Sequence, residues 1–598
     1  MTAETASAQT DMSEQSWTAP VQLTVPLQWT CAAAASHPVV LEVIHAEDDA
    51  TPLHAAIRRD LARTAPSHDA NRVPQEAIPD GPARATVLRG GRVFTADPAR
   101  PWAEAVAVLG DRIVAVGSDN DVLPWADSGA EIIELAGRAV IPGLNDAHMH
   151  HTPDPSGVRL PLDPLMDPEL DELRAAVAKA VAANPAGTWI CGTMGAVLTN
   201  EPRLDRFCLD VLAPSHPVIL LGMSNHTNVL NSMAMELLGI GEHDPDPVGG
   251  TYGRLKNSSL LNGRINEYAS WCPQYAFAAM ATLDQGADSI RALSDECLRF
   301  GITTVQNMSW TPVDRYVQMA VKADVPLRIR VIRFPASGVT GRETDRPAAG
   351  TSERVTLDGT KWILDGTFVE RGAAHRGTYH DDPGATGRLN FEQADVAAML
   401  EESVVFNDQL LLHALGTEAI EAVVSAVRDH PGENDWSQRR LRVEHGDGMT
   451  PQQAAQLAEH RVTVVQNPVH FFFAALYSQR YGADHAYTPY ASLFAAGLRL
   501  GIGSDGPLNP FLGLLCAVTH PARPEEAVDI QTAVRAYTHG SAWAQQREHE
   551  LGLLAPGYLA DIAVLSQDIF SVDPEALPAT ESVLTMIGGV ICHRTGAC

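Results

Sequence analysis

The chain has 598 residues, of which 45% are hydrophobic and 19% charged, enough apolar material for an extensive core and more than one domain. Its formal net charge of −30 excludes sequence-independent nucleic-acid binding, which needs basic surface to displace counterions from phosphate. The apolar stretches fall short of the roughly 20 residues that a spanning helix needs, so no membrane partner is expected.

Residues 1–84 are rich in Ala, Thr, Pro and Asp, with one strand-like run at 39–44, a helical stretch near 53–61 and a linker-like 74–82. Capping of an enzyme, homodimer contacts and partial disorder are all open uses for this extension. The opening Met1-Thr-Ala-Glu-Thr5 has no basic region followed by an apolar core, so no secretory signal is expected. Eight cysteines, at 31, 191, 208, 272, 297, 516, 592 and 598, make no C-x-x-C pair and read as reduced thiols, with cytoplasm as the default location.

From 85 to 142 short strands alternate with Gly and Asp turns, at 87–88, 92–94, 105–108, 112–116 and 131–134, the pattern of a small β-domain. The last segment, 556–598, repeats that pattern at 561–565, 583–587 and 590–592.

Between them, 143–555 reads as a β/α repeat. An apolar run and an Ile-Pro-Gly-Leu turn lead into Asp146-Ala-His-Met-His150. Residues two apart in a strand share a face, so His148 and His150 present both imidazoles together. Alone the pair is a weak pointer. Three further runs strengthen it: Gln409-Leu-Leu-Leu-His413, Leu441-Arg-Val-Glu-His445 and Leu500-Gly-Ile-Gly-Ser-Asp505 each end in a metal-competent side chain with a Gly close behind. Strand-like runs at 303–306, 327–332, 360–364 and 462–466 bring the number to eight, separated by helical segments. This is the pattern of an α/β fold, a (β/α)8 TIM-like barrel, whose chemistry gathers at the C-terminal strand ends where these side chains fall.

Helical spacing is clear at Leu170, Leu173, Val177 and Val181, and Thr450-Pro-Gln-Gln453 reads as an N-cap, first-turn proline and capping-box glutamine. About 154–300 is far more chain than one β/α unit requires, so a lid over the active site is expected there, including Trp189, His226 and the stretch from Asn262 to Glu267. His226 over the barrel mouth reads as a substrate contact or a structural hydrogen bond. His470 in Gln466-Asn-Pro-Val-His470 sits just past a strand end, where it would line the pocket. Glu370 and Arg371 follow the Lys361 strand as substrate contacts or as solvent-facing loop residues. His380, His460, His485 and His520 lack any supporting pattern and read as surface residues.

Taken together, Val140-Ile-Pro-Gly-Leu-Asn-Asp-Ala-His-Met-His150, Gly301-Ile-Thr-Thr-Val305, Lys361-Trp-Ile-Leu-Asp-Gly366, Leu412-His-Ala-Leu-Gly416, Arg442-Val-Glu-His445 and Gly503-Ser-Asp505 resemble the amidohydrolase superfamily, in the family 3 branch that includes N-substituted formamide deformylases. Asn225-His226, Asn231-Ser232-Met-Ala234 and the closing Leu559-Ala-Asp-Ile-Ala-Val-Leu565 extend the resemblance from about residue 86 to near the C-terminus. It implies that both chain ends join in one β-sandwich, 85–142 with 556–598, flanking the barrel. It further implies His148 and His150 on a more buried metal, His413 and His445 on a second, and Asp505 as both ligand and general base. Lys361 would be carboxylated by carbon dioxide to bridge the two, since a free ammonium cannot ligate a cation.

The implied reaction is hydrolysis of a C–N amide or formamide-like bond in a small molecule by metal-activated water, with His226 assisting Asp505. Nitrogen and carboxylate donors without a convergent cysteine suit zinc, one or two ions, ahead of iron or manganese. Two departures bear on the substrate. His413-Ala-Leu-Gly-Thr417 lacks the acid that many relatives carry at its last position, leaving Glu418 next door, and Gly506 replaces the usual aromatic after Ser-Asp. Gly416 stands where deaminases of this fold carry a glutamate, which disfavours deamination. Lyase or decarboxylase chemistry on the same metals, and an inactive metal-binding paralogue, are the alternatives.

Overall fold

Eight apolar runs pair side by side, all parallel, in the computed structural model of the chain. Residues 84–126, 129–164, 167–338, 351–430, 436–482 and 487–596 are described; the readings at 39–44 and 53–61 and His485 lie outside them. The barrel strands are β1 (Leu144–Met149), β2 (Ile302–Asn307), β3 (Arg328–Arg333), β4 (Val355–Ile363), β5 (Leu410–Ala414), β6 (Arg442–His445), β7 (Thr463–Gln466) and β8 (Arg499–Ile502). Each pairs with its neighbours in chain order, from β1 to β8. Nearly every strand residue is buried, which is why these runs lack the alternation of a half-exposed sheet.

Closure comes just beyond β8. The Asp505 N–H donates to the His148 carbonyl at 3.0 Å and the Ser504 N–H to Asp146 Oδ1 at 2.9 Å, so the end of the last strand is tied to the end of the first. Gly503 permits this approach: a Cβ there would lie 2.4 Å from the His148 Cβ and 2.5 Å from its nitrogen.

The strand expected at 360–364 begins five residues earlier. Asp358-Gly359 looks like a turn in sequence, yet β4 runs through it because Asp358 receives the Arg330 guanidinium and the Gly359 N–H donates to Asp408 at 2.6 Å. Helices close the repeat with local signals. Thr282 and Gln285 form a capping box at the start of helix Leu283–Phe300, which ends on left-handed Gly301, and Thr450 caps helix Pro451–Glu459 as its sequence predicts. Helix Leu170–Ala183 buries Leu170, Leu173, Val177 and Ala180, with Val181 only partly buried.

A separate pair of sheets flanks the barrel. One has four strands, all from the N-terminal part; the other has six and joins both ends of the chain, with Ile562–Leu565 antiparallel to Ala139–Pro142 and Arg92–Phe94 parallel to it. Leu88, Val106 and Ile113 of the first share an apolar core with Val140, Ile562 and Leu584 of the second. Ala139–Pro142 thus belongs to this sheet, although in sequence it reads as the run-up to β1.

The long insertion after β1 builds a six-stranded mixed sheet from Val158–Arg159 to Leu261–Glu267. Trp189, expected over the active site, instead packs on Phe277 with ring centroids 5.0 Å apart, against the insertion's own apolar cluster. His520 is a second correction: it is buried, not a surface residue, stacking on Phe471 at 4.2 Å and donating through Nε2 to the Thr488 carbonyl at 2.8 Å. His380 is exposed and His460 half-buried. No helix among the described residues is long and apolar enough to cross a membrane.

Barrel closure predicts a contrast between two glycines. Gly503→Ala forces β1 and the end of β8 apart and destabilises by about 1–3 kcal/mol. Gly513→Ala, where an added Cβ meets open space within helix Pro510–Thr519, is neutral or stabilising by up to about 1 kcal/mol. Denaturant unfolding of both variants checks this; equal stabilities would contradict it.

Candidate metal centre

Six side chains from five strand ends converge at the C-terminal mouth of the barrel. His148 Nε2 and His150 Nε2 are 3.2 Å apart, and Asp505 Oδ1 lies 3.7 Å from each. Lys361 Nζ sits 2.9 Å from His148 Nε2 and 3.3 Å from His150 Nε2. The His445 ring is 4.8 Å from that of His148 and 4.6 Å from that of His413, and His445 Nδ1 is 3.7 Å from Asp505 Oδ2. Positions up to 357 residues apart in sequence therefore share one cluster.

Each ring is set by the bond its other nitrogen makes. His148 Nδ1 donates to Glu444 Oε2 at 2.5 Å, His150 Nδ1 to the Met308 carbonyl at 2.6 Å, and His445 Nδ1 to Asn467 Oδ1 at 2.9 Å. With the proton on Nδ1, the Nε2 lone pair of each ring is the free donor atom. Burial lowers the pKa of all three and of His413, holding them neutral. Burial alone would raise Asp505; His148, His470 and the neighbouring imidazoles outweigh it and keep this carboxyl well below the ordinary range.

Backbone strain gathers at the same place. His445 has φ 70°, Asp505 41°, Asn225 62° and Glu267 53°. Such left-handed residues cost about 1–3 kcal/mol each and persist only where their surroundings fix them. Asp505 is fixed by its N–H bond to His148, and His445 by the Gln466 side-chain amide donating to its carbonyl.

Glu444 is the residue that sequence reasoning passed over. Arg442 grips it through Nε and Nη2 at 2.8 and 3.0 Å, both residues are fully buried, and Arg442 Nη1 continues to Gln306 Oε1 at 2.6 Å. Burial would raise this carboxyl, but Arg442 and His148 hold it down at about 2. A signal was present: Arg442 and Glu444 are two charges on one face of a strand buried on both faces. Asp365 was also missed. It accepts N–H groups from Ala374, Leu415 and Gly416, tying the loop after β4 to β5, and burial pushes it up to about 8 despite those bonds.

Around the cluster, His226 comes from the insertion, its ring 5.0 Å from His413, with Nδ1 donating to both Glu267 oxygens at 2.9 and 3.0 Å. Burial opposes its charge, but Glu267 and Glu370 raise its pKa. His470 stands between Asp505 at 3.5 Å and Asp447 at 3.7 Å, which overcome burial and bring it up to about 10. Glu370 sits behind His226, accepting from Ser224 Oγ at 3.0 Å and Thr367 Oγ1 at 2.8 Å. Arg371 is not brought to the cavity: Asp381 holds it at 2.9 Å and Asn200 accepts from its Nη1 at 2.9 Å, so the substrate contact expected of it is withdrawn. Glu418 is turned to Arg376 at 2.8 Å and offers nothing in place of the acid absent at Thr417.

These donors fit a divalent cation. Two buried Nε2 lone pairs face each other at 3.2 Å with both Nδ1 protons engaged elsewhere, and His413 Nε2 is buried without a hydrogen bond, 3.7 Å from Asp365 Oδ1. Nitrogen and carboxylate donors with no cysteine among them suit zinc-like ions. A larger cleft, about 1050 Å³, opens at the opposite barrel end, where four of the six lining arginines pair with acids, as in Arg328 with Asp561 and Arg547 with Glu550.

Known proteins resemble this chain over most of its length. The model of the amidohydrolase family matches residues 131–593. N-substituted formamide deformylase from Arthrobacter pascens is 26% identical over 86% of this chain and 99% of its own. Protein LONG AFTER FAR-RED 3 from Arabidopsis thaliana is 26% identical over 86% of this chain and 92% of its own. A solved structure of an uncharacterized metal-dependent hydrolase from Pyrococcus horikoshii OT3 superposes with a TM-score of 0.62 at 20% identity, covering 82% of this chain and 99% of that one, and shares the fold.

If Glu444 sets the His148 ring, Glu444→Gln weakens zinc binding by about 10–100-fold, the usual cost of losing such an outer partner. Chelator competition measures this on protein shown by circular dichroism to be folded; affinity within twofold of the wild type would contradict it.

Proposed function

Because the chain belongs to the amidohydrolase family, we propose that the cluster at the barrel mouth is its active site, cleaving a non-peptide C–N bond of a small molecule as a metal-dependent hydrolase. The observation that carries this is the meeting of His148, His150, His413, His445 and Asp505 at the strand ends, with the Nε2 atoms of His148 and His150 3.2 Å apart and Asp505 Oδ1 3.7 Å from each. His148, His150 and Asp505 would hold one ion, His413 and His445 a second, with zinc the best match to the donors. Lys361, carboxylated, would bridge them; its Nζ already lies among the Nε2 atoms. A cation bound there supplies Lewis acidity, lowering the pKa of water toward about 7 and polarising a carbonyl.

The chain's own residues do the rest. Asp505, kept ionised, takes a proton from the attacking water and returns it to the departing nitrogen. His226, held by Glu267, donates toward the oxygen that gains charge as the carbonyl carbon becomes tetrahedral. His470, backed by Asp447, orients the second Asp505 oxygen. The insertion that delivers His226 and Glu267 acts as a lid excluding water, and substrate choice resides in it and in the loop after β4.

Metal analysis with a panel of N-formyl, N-acyl and cyclic amides tests the reading. Released amine without carbon dioxide is expected; released carbon dioxide would mark a lyase or decarboxylase instead. Asp505→Asn keeps at least one metal and loses roughly 100-fold or more in turnover; retained turnover would refute the general-base role. Native mass spectrometry of the metal-loaded protein is expected to show one added carbon dioxide, absent from Lys361→Met; an unmodified wild type would remove the bridge.

A further inference from the structure

We infer that the cleft at the far end of the barrel from the metal centre binds a small organic phosphate, a phosphate monoester on an apolar or ring-shaped body. The cleft, about 1050 Å³, lies between the barrel and the flanking sheets. A cavity of that size between two domains takes a whole small molecule, not a lone ion. On the barrel side β4 supplies much of the wall. Arg354, just before the strand, and Thr356 and Asp358 within it alternate along the chain and so share one face, beside Arg328 and Arg330 of β3. On the other side Leu559, Ile587 and Val590 offer apolar surface to the body of a ligand.

Four of the six arginines in this cleft are already taken. Arg328 holds Asp561 at 2.9 Å, Arg112 and Arg547 share Glu550, and Arg330 is held by Asp358, Gln306 and Gln409. Arg354 and Arg439 differ. Among the described residues neither guanidinium has an acid partner; that of Arg354 makes no hydrogen bond, and that of Arg439 makes a single long one, to the Ser403 carbonyl at 3.4 Å. Both residues are half-buried, so their charges have lost part of their water without gaining a counterion. Of the lining acids beyond those pairs, Asp111 lies 3.5 Å from Arg112 and Asp408 accepts from the Gly359 N–H and Thr360 Oγ1, which leaves the exposed Glu353. Gln545, buried in the same lining, has its Nε2 without an acceptor, a further donor of the kind a phosphate oxygen takes. Arg354 precedes β4 and Arg439 lies three residues before β6, on either side of β5, so the two forks enter from separate strands. A phosphate monoester carries nearly two negative charges and three acceptor oxygens, enough for both forks at once, whereas a single carboxylate presents one bidentate edge.

Calorimetry with phenyl phosphate on the zinc-loaded full-length protein tests this. Phenyl phosphate is expected to bind, and benzoate, the same ring with one carboxylate, to bind about tenfold or more weakly. Arg354→Gln and Arg439→Gln, each shown by circular dichroism to be folded, are expected to weaken phenyl phosphate about tenfold or more. Arg388→Gln removes an exposed arginine outside the cleft and leaves the affinity unchanged. Because phosphate also coordinates zinc, the titration is repeated after chelation, where binding in the cleft persists. Binding that vanishes with the zinc, or that survives undiminished in both cleft variants, places the anion elsewhere and overturns the inference. So do benzoate binding as tight as that of phenyl phosphate, an equal loss in Arg388→Gln, and no binding of phenyl phosphate at all. None of these outcomes involves turnover, so the cleft and the hydrolase reading stand or fall separately.

Discussion

One short contact governs the rest of this molecule: the Asp505 N–H donating to the carbonyl of His148. It joins the last strand end to the first, and in doing so places a carboxylate 3.7 Å from two imidazoles that lie 355 and 357 positions earlier. An open sheet would leave Asp505 and the His148–His150 pair at opposite edges. Closure makes them neighbours, and the strained φ of Asp505 is the local consequence. The absence of a side chain at Gly503 is what lets the two backbones come so close.

Closure alone would bring nitrogen atoms together without deciding which of them carry protons. That decision belongs to partners behind the rings: Glu444 for His148, the Met308 carbonyl for His150, Asn467 for His445. Each accepts the Nδ1 hydrogen bond and leaves Nε2 with its lone pair free, and the Nε2 atoms of His148 and His150 face each other at 3.2 Å. The barrel interior beneath them is polar, with Arg442 holding Glu444 ionised and Gln306 joining Arg442 to Arg330. An unpaired charge there would be costly, so this set of residues acts as a unit. Site and fold therefore depend on each other: the barrel positions the imidazoles, and the buried ion pair sets His148 among them.

Much of this was legible in sequence because β/α barrels place chemistry at the ends of apolar runs. His148, His150, His413, His445 and Asp505 each terminate or closely follow such a run, and the eight runs gave the strand count. What pattern reading could not see was contact between distant segments. Glu444 looks like one more strand residue until His148, 296 positions away, is placed against it. Glu267 becomes meaningful only once the insertion's sheet brings it beside His226. Arg371 had the right position in sequence and the wrong one in space, since Asp381 and Asn200 claim it. His520 lacked a motif and was read as exposed, whereas stacking on Phe471 buries it. Strand β4 starts at Val355, five residues before the run read from sequence, with Arg330 and Asp408 holding Asp358 and Gly359 within it.

The central claim is that neutral imidazoles and one carboxylate, gathered by barrel closure, bind a divalent ion. X-ray absorption at the zinc edge of reconstituted protein tests it most directly. The account predicts tightly retained zinc with histidine nitrogens at about 2.0–2.1 Å and no sulfur in the coordination sphere. Sulfur ligation, or a protein that releases all its zinc on desalting, would contradict it.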